Sequence, residues 1–371
     1  MPTLHDVTDK TKLILKWGGI SVVAVIAILL LYQGGLFVKN TFFPTKLPPP
    51  TAEFGKLPQI NFPKDIQDEK LTYVIDTVSG KLPVFLDEEK RPRDRIKVFK
   101  ISHEALTLLD LQETKNSAAN AGFGGAGIPI SGNIYRFQKN DSLPKTLDID
   151  IVSKNFTVSS SFSFNETILD AINVPDKSDA IGETSSFART LGAYAEDIDS
   201  RKTKVQLLKL KNGILFDAED LSDTQIIRVD FFQKDQDLLP IFYPKGIYST
   251  MYFLVGSETG LESNIVLSNF YHQSITSTNA TYLLKPLSKA FTELTEGKGY
   301  VAANFVKGNT IKIEDVLLGY YAGNEFQEYL MPIYIFKARG DEFYAYVSAI
   351  DDTSIKGPPD SIMPAVSEQS N

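Results

Sequence analysis

Three histidines, His5, His103 and His272, and no cysteine are available to this 371-residue chain. That narrows its chemistry at once. A zinc site or a Ser–His–Asp triad needs histidine in a set arrangement, and no H-E-x-x-H spacing occurs. Without cysteine, disulfides, thiolate metal sites, iron–sulfur clusters and thiol nucleophiles are excluded together. Ser142-Leu-Pro-Lys145 has the S-x-x-K spacing of a Ser–Lys nucleophile pair. Pro144 is awkward in the helix such a motif sits on, and no K-T-G accompanies it, only Lys145-Thr146-Leu147. Gly122-Phe-Gly124-Gly-Ala-Gly127 matches G-x-G-x-x-G as a string. A dinucleotide fingerprint must follow a strand and open a helix, because the helix N-terminus holds the pyrophosphate. Here a helix precedes and a strand follows, so the string reads as a flexible loop over a groove.

Asp217, Glu219, Asp220 and Asp223 could gather oxygen ligands for a hard cation, but Ser222 stands where an EF-hand loop needs glycine. A solvated turn is the expected reading. Paired carboxylates for glycoside cleavage are compatible with so acidic a chain, since their separation in space is not written in sequence. The densest aromatic run is Leu318–Ile350, with Tyr320, Tyr321, Phe326, Tyr329, Tyr334, Phe336, Phe343, Tyr344 and Tyr346. Strand alternation buries one set. The other, if exposed, makes a face for a protein partner or a carbohydrate. The residues assigned to that partner-binding face are Tyr320, Tyr321, Tyr329, Tyr334, Phe336, Tyr344 and Tyr346. No catalytic, cofactor-binding or metal-binding residue is assigned, and no cofactor is expected.

The elements that must position these residues begin with Trp17–Val38, a stretch without a charge. As a helix rising about 1.5 Å per residue it crosses a hydrocarbon core of about 30 Å. No small-x-small cleavage site follows, so it reads as a retained signal anchor. Residues 1–16 then form a cytoplasmic head carrying Lys10, Lys12 and Lys16. The C-terminal part is expected outside the cell membrane, as a single-pass extracytoplasmic protein. Absence of disulfides in an exported domain points to a bacterial envelope. Net charge is −8, which argues against nucleic acid as a partner. With 43% apolar and 23% charged residues the remainder is too apolar for disorder.

Residues 39–63 read as a proline-rich stalk, with Pro44, Pro48, Pro49, Pro50, Pro58 and Pro63. Strands are expected at Leu71–Ser79 and Ile96–Ile101. Three units follow in one order, a helix and then strands. The first is a helix over His103–Ala119 with strands near Ile134–Phe137 and Leu147–Val152. The second is a helix over Ala180–Ile198 with strands at Val205–Leu210 and Ile226–Phe232. The third is a helix from Pro286 to Glu296 with strands at Ile311–Tyr321, Tyr329–Lys337 and Phe343–Ile350. The expected class is α+β with antiparallel sheets. Its expected domains are 64–174 and 175–350, followed by a disordered tail over 351–371.

The third unit carries a resemblance. Its helix Pro286–Gly297, the strand text Leu318-Gly-Tyr320-Tyr321, Pro332-Ile-Tyr334-Ile-Phe336 and Ala345-Tyr346-Val347 resemble the C-terminal module of the YycH/YycI proteins. Those are membrane-anchored regulators of a cell-wall histidine kinase. Leu57–Pro63 and Asp76–Pro83 also resemble segments of uncharacterised single-span envelope proteins of candidate-phyla bacteria. The resemblance implies a single span, an outer α+β domain of repeated modules, and regulation by protein contact without catalysis. The expected function is therefore non-enzymatic protein binding at a membrane. The alternative is binding or hydrolysis of cell-wall glycan or peptide by acidic residues.

Overall fold

Alternating β-branched and aromatic residues make sheet the main regular structure of this chain. The computed structural model describes residues 31–33, 49–63, 71–82, 94–140, 142–165, 168, 174–256 and 264–357. The chain divides into two units, Met1–Pro49 and Pro50–Asn371. In the first, Leu31–Gln33 are helical and exposed. The second carries the sheets. Its elements open with β1 (Thr72–Ile75), β2 (Arg95–Ile101), α1 (Asp110–Asn120) and β3 (Gly124–Ser131). Next come β4 (Ile134–Lys139), β5 (Lys145–Asp150), β6 (Phe156–Ser160) and α2 (Lys177–Thr190). β7 (Lys204–Lys211), β8 (Ile214–Asp217), β9 (Ile226–Phe231), β10 (Ile241–Phe242) and β11 (Met251–Val255) follow. The last are β12 (Ile265–Phe270), β13 (Ile275–Leu283), α3 (Leu287–Thr295), β14 (Tyr300–Asn304), β15 (Thr310–Ile313), β16 (Asp315–Tyr321), β17 (Tyr329–Lys337) and β18 (Phe343–Ser348).

A nine-stranded antiparallel sheet runs β3-β4-β5-β6-β12-β11-β9-β7-β8. Helices α1 and α2 cover one of its faces. Asp176 caps α2 by accepting from the N–H groups of Ser178 and Asp179. Gly192, at φ +75°, ends it. Beneath the helices lies a phenylalanine cluster. Phe156 stacks on Phe270 with centroids 5.2 Å apart, and Phe187, Phe231 and Phe253 meet them at steeper angles. On the opposite face Phe162, Ile168, Leu208, Leu210, Ile226 and Leu254 form a smaller core.

The second sheet takes β10, β16, β17, β18 and β14 in that order, with β2 joining β17 to β13. A parallel pair, β1 and β15, stands apart. The strands β16 to β18 are buried on both faces. Val316, Tyr334, Phe336, Phe343 and Val347 pack under α3. Tyr321, Ile333, Ile335, Tyr344 and Tyr346 face the other way, under Ile60, Phe62 and Phe242. Residues 50–63 are therefore a strap across this sheet. Thr51 and Ala52 bond to Thr281, and Leu57, fully buried, pairs in parallel with Ile355.

The expected α+β class is corrected to a mostly β molecule, 43% strand against 18% helix. Two overextended helices account for part of this. The first begins only at Asp110, because Leu106, Leu108 and Leu109 are exposed and have no core to pin them. The second stops at Thr190. The glycine-rich loop is also strand, β3.

The single-pass anchor, with the cell-membrane localisation and inside–outside topology built on it, is not supported. Among the described residues no helix is long and apolar enough to cross a membrane. The longest, α2, has 14 residues, about 21 Å, and carries charge. Of Trp17–Val38 only Leu31–Gln33 are described; the rest of that stretch, the head over 1–16 and residues 39–48 lie outside the described residues. The division placed at 174 and 175 runs through one sheet, since β6 pairs with β12. Residues 351–357 of the expected tail hold a helical turn and the pairing with Leu57, while 358–371 lie outside the described residues.

Candidate interaction site

The assigned aromatic face is not a surface. Tyr320, Tyr321, Tyr334, Phe336, Tyr344 and Tyr346 are all buried, and Tyr329 is half-buried against Phe54. The strap and β10 cover one side of these strands and α3 the other. Three of their hydroxyls are used internally: Tyr320 donates to Lys97 O, Tyr334 to Lys285 O and Tyr346 to Tyr243 O. Burial pushes the Tyr334 hydroxyl up to about 12. Such groups hold a fold together and offer a partner nothing.

Two histidines meet a polar seam between the sheets. His272 Nε2 lies 2.7 Å from Asp197 Oδ1, and Gln233 donates to the other oxygen of Asp197 at 2.8 Å. Burial raises the Asp197 carboxyl, but the bonds from His272 and Gln233 outweigh it and leave the group below the usual carboxylate range. His103 Nε2 sits 2.9 Å from Gln327 O, with its ring stacked on Phe326. Gln273 donates to Gly323 O and Glu325 O in the same loop. A carboxylate-held imidazole is half of a general-base device. Here its neighbours are glutamine amides tied to backbone carbonyls, which neither attack nor carry protons. The seam joins β12, β9 and the β16–β17 loop. His5 lies outside the described residues.

The acidic cluster is absorbed locally. Asp220 caps the turn Leu221–Asp223, Asp223 pairs with Lys209, and Asp217 accepts from Gln206. Among the described residues no group of three or more His, Asp or Glu side chains could hold a metal ion. Lys145 of the S-x-x-K string is buried on β5. In the G-x-G-x-x-G string, Gly127 has φ +78° and a Cβ there would lie 2.9 Å from the Phe137 ring. Its glycine serves close packing of a bulged edge strand.

What remains is the open edge at β8. Asn212 and Gly213, at φ +52° and +78°, form the two-residue turn that folds β8 back on β7. This Asn-Gly between apolar runs is the sequence signal for a hairpin that the strand expectations above lack. β8 is the last strand of its sheet. Ile214 and Phe216 share one face of it, 60% and 47% exposed. Phe164, beside Gly213 at the turn, is 80% exposed. Single exposed apolar side chains are ordinary. At β8 they coincide with a ladder that is unpaired among the described residues. The other edge, β3, also exposes Ile128 and Ile130, but its pairing with β4 shifts register and it contains Pro129, which has no N–H to give a new strand.

No family model matches the chain, and no curated protein matches it. Among solved structures it is similar to an uncharacterized protein from Eubacterium rectale ATCC 33656, crystallised and solved at 1.45 Å. The two share 13% identity, with 69% of this chain and 84% of that chain covered and a TM-score of 0.31. A likeness at that score bears on neither fold nor function.

Proposed function

We propose that this chain is a non-enzymatic binding protein whose contact is made by strand addition to the β8 edge. One observation carries the reading: apolar side chains are exposed on a regular edge strand with no proline or glycine inside it. An added strand gains main-chain hydrogen bonds for affinity and side-chain contacts on Ile214 and Phe216 for selectivity. The glycan alternative has less support, because Asp217, Asp220 and Asp223 are engaged in caps and pairs.

Selection of displayed random peptides on the immobilised full chain tests this. Binders should be extended, with apolar residues at alternate positions. Their binding should vanish in Phe216→Lys, a change on an exposed side chain that leaves the melting temperature in place. Binders indifferent to Phe216→Lys would place the contact elsewhere and overturn the reading.

A further inference from the structure

The two halves of the strap are held differently. In the first half, Thr51 and Ala52 are bonded to Thr281, and Gly55 O accepts from the Tyr282 hydroxyl at 3.0 Å. Leu57 then bonds the tail through both its N–H and its carbonyl. Past Leu57 the backbone over 58–63 joins no sheet among the described residues. Pro58 and Pro63 have no N–H to give, and Phe62 N donates only back to Ile60 O. Asn61 Nδ2 reaches Glu325 Oε2 at 2.5 Å, but in water. What fixes this half is apolar contact. Ile60 and Phe62 alternate inward and are half-buried, while Gln59 and Asn61 are exposed.

Beneath Phe62 lies a polar fault. The Tyr321 hydroxyl is fully buried and has no hydrogen-bond partner. Burial pushes it up, with Tyr300 and Glu325 adding to the effect. Tyr300 is the ring stacked on Phe62, and Glu325 is the partner of Asn61, so the hydroxyl lies on the strap's side of the sheet. A buried donor without a partner regains its lost hydration when water reaches it. Closing the strap stacks Phe62 and dries Tyr321; opening it loses the ring contacts and wets the hydroxyl. We infer that residues 58–63 are a lid, hinged at the clasp between Leu57 and the tail, which opens in the native state and uncovers a floor of Tyr300, Tyr321 and Tyr346. Phe62 shuts the lid and the Tyr321 hydroxyl loosens it. The other face of the same strands stays covered by α3. A ligand for this floor must first displace Ile60 and Phe62, so the closed lid is an autoinhibitory contact. It is separate from the β8 edge and does not rest on that contact.

The chain has no cysteine, so one introduced thiol reports alone. Ile60→Cys places it under the lid. Ala290→Cys, fully buried beneath α3, is the reference. Both full chains, in a mild detergent that keeps the apolar 17–38 stretch from associating, are labelled with a maleimide under native conditions, and circular dichroism checks that each is folded. The thiol at 60 should react at least about a hundredfold faster than the thiol at 290, because lid opening is local and exposure at 290 needs wider unfolding. Tyr321→Phe keeps the ring and removes the dry hydroxyl. It should slow labelling at 60 about tenfold and raise the melting temperature. Phe62→Ala should speed labelling about tenfold. Equal rates at 60 and 290 would make the strap part of one cooperative unit and overturn the inference. A fast rate at 60 that is indifferent to Tyr321→Phe would mean fixed exposure of that residue, with no lid, and overturns it too.

Discussion

Replacing Phe62 by alanine asks whether residues 50–63 belong to the fold. The Phe62 ring stacks on Tyr300 at 5.2 Å between centroids and meets Tyr321 edge-on at 4.9 Å. Full burial of a phenylalanine is worth about 1.5–3 kcal/mol, and Phe62 is half-buried, so its area contributes about 1 kcal/mol. Each close ring pair adds about 1 kcal/mol beyond area. The variant should lose about 3 kcal/mol, and Phe62→Leu, which keeps the area but not the ring pairs, about 2 kcal/mol. For a body of this size that is a fall in melting temperature of about 6 °C for the alanine variant. The only tryptophan, Trp17, precedes this body, so tyrosine fluorescence and circular dichroism are the probes. Denaturant midpoints should fall with unchanged slope. A loss below about 0.5 kcal/mol, the range of an uninvolved surface site, would mean the strap does not hold the second sheet.

Gly127→Ala forces a side chain into left-handed backbone and a Cβ to 2.9 Å from the buried Phe137 ring, which should cost about 3 kcal/mol of thermal stability; an unchanged melting temperature would show that β3 sits elsewhere. Tyr334 has a folded value of about 12, above the unfolded value of about 10, so its contribution is whole below about pH 10 and fades as pH rises towards 12. Tyr334→Phe should flatten the stability loss in that window, read by tyrosinate absorbance beside circular dichroism, and an unchanged alkaline profile would refute the burial.

Strands with local signals were legible. Ile96–Ile101, Val205–Leu210 and Ile226–Phe232 alternate clearly, and their observed counterparts β2, β7 and β9 differ by a residue or two. Helices were less so, because Leu108 and Leu109 keep helical spacing while facing solvent. Glycines in β3 hid a strand, since its conformation is set by Phe137 pressing on Gly127 and not by propensity. The join of β6 to β12 links residues more than a hundred positions apart, which no periodicity records. The tyrosines of β16 to β18 fitted a core better than a face, but the alternation alone left both open, and the strap, β10 and α3 are what bury them. Asn212-Gly213 was the one printed clue to the β8 edge.

The parallel contact between strap and tail has a mechanical meaning. Leu57 N donates to Ser354 O at 2.8 Å, and Lys356 N to Leu57 O at 2.7 Å. Parallel partners pulled from residues 50 and 357 slide along one another, so the two bonds bear load together instead of opening in turn. Thr51 and Ala52, fastened to Thr281, take up the same pull. Tension applied at residues 50 and 357 thus meets a clasp in shear before it reaches the strands of either sheet.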